Sequence, residues 1–371
     1  MPPVPRPVEP LRPPDLPVLS LRHLAVGPVG DLSLDLAAGE AVLLLGPPGA
    51  GKSAVLDAVA GFRRPERGEI RLDGRGLAHT PTHRRGIGVV GSPDSLLSHL
   101  SLADNVALPL RLRGIRAPER VARMLALLDL APHAADRPAG LPALLRWRAV
   151  LARALVFAPR LLLIDAPGAG LDPAERAALA MDIRRLRAAS GATLLGAARD
   201  AEDALGLADR VVVLDAGRVL QIGTPAALHD GPAAARVAAL TGAVNALPGQ
   251  VTAIENDLAR ILLACGVSVE ARAMGLAAGQ NCTVLVRPER IAVAAIAPSD
   301  MGEGAMPATL IEAIVAGGET RLRLLLGAEG APPAELRVRR QAGPLLAAPG
   351  SAISVAWQGH RAWAFPAEAP A

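Results

Sequence analysis

The stretch Gly46-Pro47-Pro48-Gly49-Ala50-Gly51-Lys52-Ser53 constrains this chain more than any other. The apolar run Ala41 to Leu45 before it reads as a buried strand, and Ala54 to Ala60 after it as the first turns of a helix. Strand, glycine loop, Gly-Lys-Ser and helix together make a Walker A phosphate loop. Its glycines let successive backbone N–H groups turn inward around a phosphate, and the helix N-terminus adds the positive end of its dipole. Gly46, Gly49, Ala50 and Gly51 therefore read as the cradle. Lys52 reads as the ammonium that reaches β- and γ-phosphates, and Ser53 as a hydroxyl ligand for Mg²⁺. Lysine and arginine total 39, yet Lys52 is the only lysine in the chain. It stands where a compact, flexible ammonium does what a forked guanidinium cannot.

At 371 residues the chain has room for two domains, or one large domain with a smaller appendage. A hydrophobic share of 51% supplies the core, much of it alanine. The net charge is only +4, and no basic run is interleaved with aromatic residues, which argues against nucleic-acid binding. The two cysteines, Cys265 and Cys282, fit no metal or redox spacing and suit a reducing compartment. Met1 to Pro17 is proline-rich, lacks the apolar segment of a signal peptide and reads as a disordered tail. No run of about 18 apolar residues is free of charges and breakers, so no transmembrane span is expected.

Further along, Val18 to Leu36 alternates as paired strands do, and Gly68 to Gly74 reads as a strand entering a turn. Gly86 to Val90 is a strand candidate, and Val106 to Leu155 is mostly helical in period. Leu161 to Ile164 followed by Asp165 is a Walker B arrangement, with a carboxylate at the strand end able to hold Mg²⁺. Pro173 to Ala189 reads as a helix, and Thr193 to Leu195 and Val211 to Leu214 as strands. Strands alternating with helices imply a largely parallel sheet wrapped by helices.

The chain resembles the ATP-binding subunits of ABC transporters, of the polyamine, iron and molybdate importer type. The resemblance rests on the two Walker motifs, on Gly61 to Gly74, and on Ala204 to Pro225. It covers roughly residues 18 to 240, while Arg287-Pro288-Glu289-Arg290-Ile291 and the short strands up to Phe365 look like the small C-terminal TOBE-type barrel. The fold it implies is an α/β P-loop domain (18–240) with a helical subdomain near 95–155, then a small all-β domain (245–366), with the boundary within Val237 to Pro248. The cofactors implied are ATP and Mg²⁺. The partners implied are membrane-spanning permease subunits, a second ATP-binding subunit of the same or another kind, and indirectly a solute-binding protein. The location implied is cytoplasmic, at the inner face of the cell membrane.

The departures from that pattern bear on catalysis. The LSGGQ signature, which closes on the γ-phosphate of the opposite subunit through backbone N–H groups, aligns with Leu141-Pro142-Ala143-Leu144-Leu145. Both glycines and the serine are gone, and Pro142 lacks an N–H. The general base, a glutamate after the Walker B aspartate, aligns with Ala166. The switch histidine aligns with Arg199 and the Mg²⁺-sensing glutamine with Ser92. The adenine-stacking aromatic falls near Gly27 and Pro28, where no ring stands, and the D-loop survives in part as Ala169-Gly170-Leu171-Asp172. For Arg199 two readings stay open: an arginine finger on the γ-phosphate, or a surface residue paired with Asp200 or Glu202. The expectation is an importer subunit that binds Mg-ATP with impaired hydrolysis; the alternative is a non-catalytic scaffold or regulator that keeps the fold. An unrelated P-loop kinase or GTPase leaves the match over residues 204 to 225 unexplained.

Overall fold

The computed structural model describes residues 16–295, 304–328, 330–343 and 347–367. Most of the expected proline-rich tail lies outside them. The chain divides into two compact units, residues 1–226 and 227–371.

The first unit opens with β1 (Leu19–Val26) and β2 (Val29–Leu36), the expected antiparallel pair, then β3 (Ala41–Leu45) and α1 (Lys52–Ala60). β4 (Arg67–Leu72) and β5 (Arg75–Gly76) follow, joined by Asp73 and Gly74, both at positive φ as a two-residue hairpin turn demands. Next come β6 (Ile87–Val90), α2 (Leu102–Arg111), α3 (Pro118–Leu127), α4 (Ala143–Leu155), β7 (Leu161–Asp165) and α5 (Pro173–Ser190). The unit closes with β8 (Thr193–Ala197), α6 (Ala201–Leu207), β9 (Arg210–Asp215) and β10 (Arg218–Gly223), and α7 (Pro225–Asp230) spans the division. The start of α5 shows how local sequence sets an element. Asp172 accepts from the Glu175 N–H, the Glu175 carboxylate accepts from the Asp172 N–H, and Pro173 fills the first helical position.

A six-stranded sheet runs in the order β10-β9-β3-β8-β7-β6, parallel from β9 to β6, and a four-stranded antiparallel sheet runs β2-β1-β4-β5. The central strands are apolar throughout because both faces are covered. Val42, Leu44, Leu161, Leu163 and Leu195 point into a core shared with the antiparallel sheet and α1. Their neighbours Leu43, Leu162, Ile164 and Leu194 point into a second core shared with α2 to α5. Strand alternation thus feeds two cores from one apolar run. The helical stretch of residues 95–155 is three helices separated by turns rather than one continuous run.

The second unit continues with α8 (Ala235–Leu240) and β11 (Asn245–Glu255), β12 (Leu258–Leu263), β13 (Ser268–Ala273) and β14 (Asn281–Val286). Then come β15 (Ala292–Ala294), β16 (Met306–Ala316), β17 (Glu319–Leu326), β18 (Ala334–Gln341), β19 (Ala352–Ala356) and β20 (Ala362–Pro366). β11-β12-β13-β20-β14 close a barrel, and β15-β19-β16-β17-β18 form a second five-stranded sheet that shares its core. The all-β region is therefore a barrel with a companion sheet. The compact units part after Ala226, ahead of the Val237 to Pro248 stretch, because α8 buries Ala238 against Leu285, Trp363 and Phe365. We keep 18–240 and 245–366 as proposed functional limits. Arg287 is fully buried in this unit, donating to the Thr241 hydroxyl at 3.0 Å and lying over the Trp363 ring. Among the described residues no helix is long and apolar enough to cross a membrane.

Candidate functional site

The sheet order gathers the sequence motifs at one edge. β3 delivers the glycine loop, β8 lies beside it and ends at Ala197, and β7 lies beyond and ends at Asp165, with Leu44 and Asp165 both in register with Ala197. The loop strand and the carboxylate strand are thus two strand spacings apart, about 10 Å. This carboxyl edge of a parallel sheet is where α/β folds bind ligands.

Within the loop, Gly49 and Gly51 sit at φ +83° and +102°. A Cβ on Gly46 would lie 2.1 Å from the Leu214 carbonyl oxygen, and one on Gly51 2.4 Å from Val29 Cγ2. Glycine is required at both by close approach, and at Gly51 by backbone conformation as well. Ala50 is buried, its N–H donating to the Pro47 carbonyl. Gly51 is the N-cap of α1 and supplies no side chain to the helix, and the first turn carries no acid. The first N–H groups of α1 therefore lack both an intrahelical acceptor and a capping side chain, the arrangement that suits an anion.

Lys52 Nζ donates to the carbonyls of Gly46 at 2.6 Å and Pro47 at 3.0 Å, so the ammonium is held over the loop. Burial lowers its pKa, and the Asp165 charge opposes that. Ser53 and Asp165 are both exposed at this edge, a hydroxyl and a carboxylate of the hard oxygen type that Mg²⁺ takes.

Ala166 follows at φ +46°, with its N–H bonded to the Ala197 carbonyl at 2.9 Å. A methyl group offers no proton acceptor there. Arg199 is exposed just ahead of Asp200, which caps α6 by accepting from the Asp203 N–H. Burial raises the Asp203 pKa, and the nearby Asp200 and Glu202 charges push the same way against Arg176 and Arg199. Ser92 caps a single 3₁₀ turn, bonding to Asp94 through both the N–H and the carboxylate. Its hydroxyl is thus engaged locally.

The signature-aligned stretch is not brought to the loop. Leu141, Ala143, Leu144 and Leu145 pack against the core of α2 to α5, and Pro142 is the exposed N-cap of α4 with no capping hydrogen bond. Near Gly27 and Pro28 the structure places no ring: Pro28 Cγ and Val29 pack toward Gly51 instead.

Sequence reasoning missed several supports. Trp147 Nε1 donates to the Ala169 carbonyl at 3.2 Å, tying α4 to the D-loop. Arg153 donates to the Ser95 carbonyl and hydroxyl, holding the turn that follows Ser92. Arg85 donates to the carbonyls of Ala58 and Val59 at the end of α1, and to those of Leu77 and Thr80. No local sequence pattern marks these contacts.

Comparison with known proteins agrees with this geometry. The ABC transporter family profile matches residues 29–169, and the TOBE domain profile matches residues 284–365. The "Spermidine/putrescine import ATP-binding protein PotA" of Rubrobacter xylanophilus is 36% identical over 335 residues, covering 89% of this chain and 87% of that protein. Its namesake in Thermobifida fusca is 33% identical over 295 residues, covering 79% and 77%. A solved structure described as an ATP binding subunit of an ABC transporter is 27% identical and superposes with a TM-score of 0.52 over 61% of this chain and 95% of its own. The cbiO1 structure from Clostridium perfringens, at 24% identity and a TM-score of 0.54 over 58% and 92%, shares the fold. The chain belongs to the ABC transporter ATP-binding proteins that carry a C-terminal TOBE domain.

Proposed function

We propose that this chain is the ATP-binding subunit of an ABC-type importer, working at the cytoplasmic face of the membrane, and that it binds Mg-ATP with little or no hydrolysis. The observation that carries the second half is Ala166 at the base position, with a methyl group and a positive φ where proton abstraction needs a carboxylate. Binding would use the N–H groups of Gly49 to Ser53, the Lys52 ammonium, and Ser53 with Asp165 for Mg²⁺. Polyphosphate charge neutralisation is what the metal supplies when bound.

Losing a general base costs on the order of 10²–10⁴ in rate. The signature loss adds to it. Pro142 has no N–H, and Ala143 to Leu145 pack bulkier side chains against the helical core where glycines and a serine hydroxyl would close on a partner's γ-phosphate. A homodimer is then nearly inert. Pairing with an intact subunit leaves one composite site without the base and the other without a signature.

The partner surface we assign is the cleft between α2 and α3, about 790 Å³, floored by Ala107, Leu110 and Val121 and edged by Asp104 and Arg111. Its apolar floor and charged rim suit a short helix of a permease subunit. The relatives' names make polyamines the first cargo to assay. The lost catalytic groups favour one second reading, a nucleotide-gated scaffold that positions partners without driving transport.

The test is ATP turnover by the purified chain, alone and with its membrane subunits, beside Lys52→Ala. Binding that depends on Lys52 without turnover supports the proposal. Turnover at ordinary transporter rates contradicts it.

A further inference from the structure

We propose that the Arg63 guanidinium stacks on the base of a nucleotide held by the phosphate loop, in a place where the chain has no ring to do so. This rests on the reading of the loop as a triphosphate site.

The direction in which a bound nucleotide lies follows from the sheet order. β3 has β8 and then β7 on one side, bringing Asp165 to that flank, and β9 and then β10 on the other. The end of the triphosphate that needs Lys52, Ser53 and Asp165 lies toward β7. The nucleoside therefore leaves toward the β9–β10 side.

Two turns border that side. The turn between β1 and β2 packs on the loop through Pro28 and Val29, whose side chains meet Gly51. The turn between β9 and β10 packs on the first: a Cβ on Gly217 would lie 1.8 Å from the Pro28 carbonyl oxygen, and the Gly30 N–H donates to the Gly217 carbonyl at 3.1 Å. Pro28, Val29 and Ala216, which these turns carry, are apolar and have no ring.

Arg63 supplies what they lack. It lies beyond the C-terminal end of α1, yet its side chain reaches the β1–β2 turn. A Cβ on Gly27 would stand 3.0 Å from Arg63 Nη1 and 3.3 Å from the Ala54 Cβ, and beyond the turn's own neighbouring residues no other atom comes within 4 Å of that point. Ala54 directly follows Ser53 in the first turn of α1, so the guanidinium lies beside the phosphate cradle and just outside it. Glycine at position 27 leaves the room for this approach.

The cation is uncommitted. Arg67, which also reaches this turn, donates to the Gly30 carbonyl at 2.8 Å, and Glu66 accepts from the Gly27 N–H at 3.1 Å. The Arg63 guanidinium has no hydrogen bond or ion pair among the described residues, and Gly27, Pro28 and Arg63 are all exposed. A guanidinium is planar, delocalised and weakly hydrated, so it stacks on a ring face where an ammonium stays a hydrated point charge. Every base has such a face, and stacking on it adds affinity to what the phosphates supply.

The sole lysine makes the test direct. Acylation of the Lys52 amine by a small activated ester is followed by peptide mass spectrometry. Protection is titrated with ATP and with tripolyphosphate, which has no base, in Mg²⁺ and about 0.15 M salt to screen charges at a distance. The inference predicts that Arg63→Ala raises the half-protection concentration of ATP about three- to tenfold and that of tripolyphosphate by less than about twofold. The retained tripolyphosphate affinity also shows that the variant is folded. Equal rises for the two ligands would put the cation on the phosphates, and no rise for ATP would leave the base unstacked. Either result overturns the inference and leaves the triphosphate site standing. Absence of protection of the parent chain by both ligands overturns the triphosphate reading and this inference with it.

Discussion

Gly51→Ala tests the packing of the phosphate loop, with Gly49→Ala as its control. Both positions are left-handed, at φ +102° and +83°, so each substitution incurs backbone strain of roughly 1–3 kcal/mol. They differ in space. A Cβ at Gly49 meets nothing within 4 Å, whereas one at Gly51 meets Val29 Cγ2 at 2.4 Å and Pro28 Cγ at 3.0 Å. Val29 is 1% exposed and fixed in the core, so it cannot swing aside, and overpacking there adds about 1–3 kcal/mol. Gly51→Ala should therefore lose roughly 2–6 kcal/mol and Gly49→Ala roughly 1–3. Hydrogen exchange of the α1 and β3 amides reads these values locally, without requiring that the two units unfold together. A thermal midpoint for the first unit should separate the variants by about 2–10 °C. Equal losses in the two variants, or a Gly51→Ala protein as stable as the parent, would refute the placement of the β1–β2 turn against the loop.

Three further outcomes follow from other contacts. Asp182 takes the Arg148 Nε at 2.8 Å, the two side chains being 8% and 15% exposed. Asp182→Ala strands that guanidinium and should cost about 3–5 kcal/mol in urea unfolding, toward the lower end because Asp129 remains 3.4 Å away. Lys52 has a lowered pKa from burial, so its amine should acylate at lower pH than an ordinary lysine, and Asp165→Asn should shift that profile lower still. The sign for stability is that the folded state disfavours the ammonium, so stability rises with pH between the lowered value and the unfolded lysine value. Ala166→Glu alone should leave phosphate release at background, because Leu141 to Leu145 still lack the serine hydroxyl and the glycines that let a backbone close on a γ-phosphate; restored turnover would show that the base was the only defect.

The sequence reveals the phosphate loop because every part of its chemistry is local. The strand, the glycines and the lysine occupy consecutive positions, as do the residues of the Asp172 and Glu175 capping box. Asp165 was legible for a similar reason, as a carboxylate ending an apolar strand. What was hidden depends on partners far apart in the chain. Arg85 reaching the α1 carbonyls, Trp147 reaching Ala169 and Arg148 reaching Asp182 join residues 22 to 34 positions apart. The companion sheet in the second unit was hidden too, because its strands alternate just as barrel strands do and pairing order leaves no mark on alternation. Nor does sequence tell that Ala166 sits at positive φ.

The most direct measurement is the identity of the nucleotide the protein retains. The chain is incubated with Mg²⁺ and ATP for many hours, freed of unbound nucleotide and extracted, beside Lys52→Ala. Binding without turnover predicts intact ATP on the parent chain, close to one per chain, and none on Lys52→Ala. Retained ADP with released phosphate, dependent on Lys52, would contradict the account by showing that another group supplies the base that Ala166 lacks.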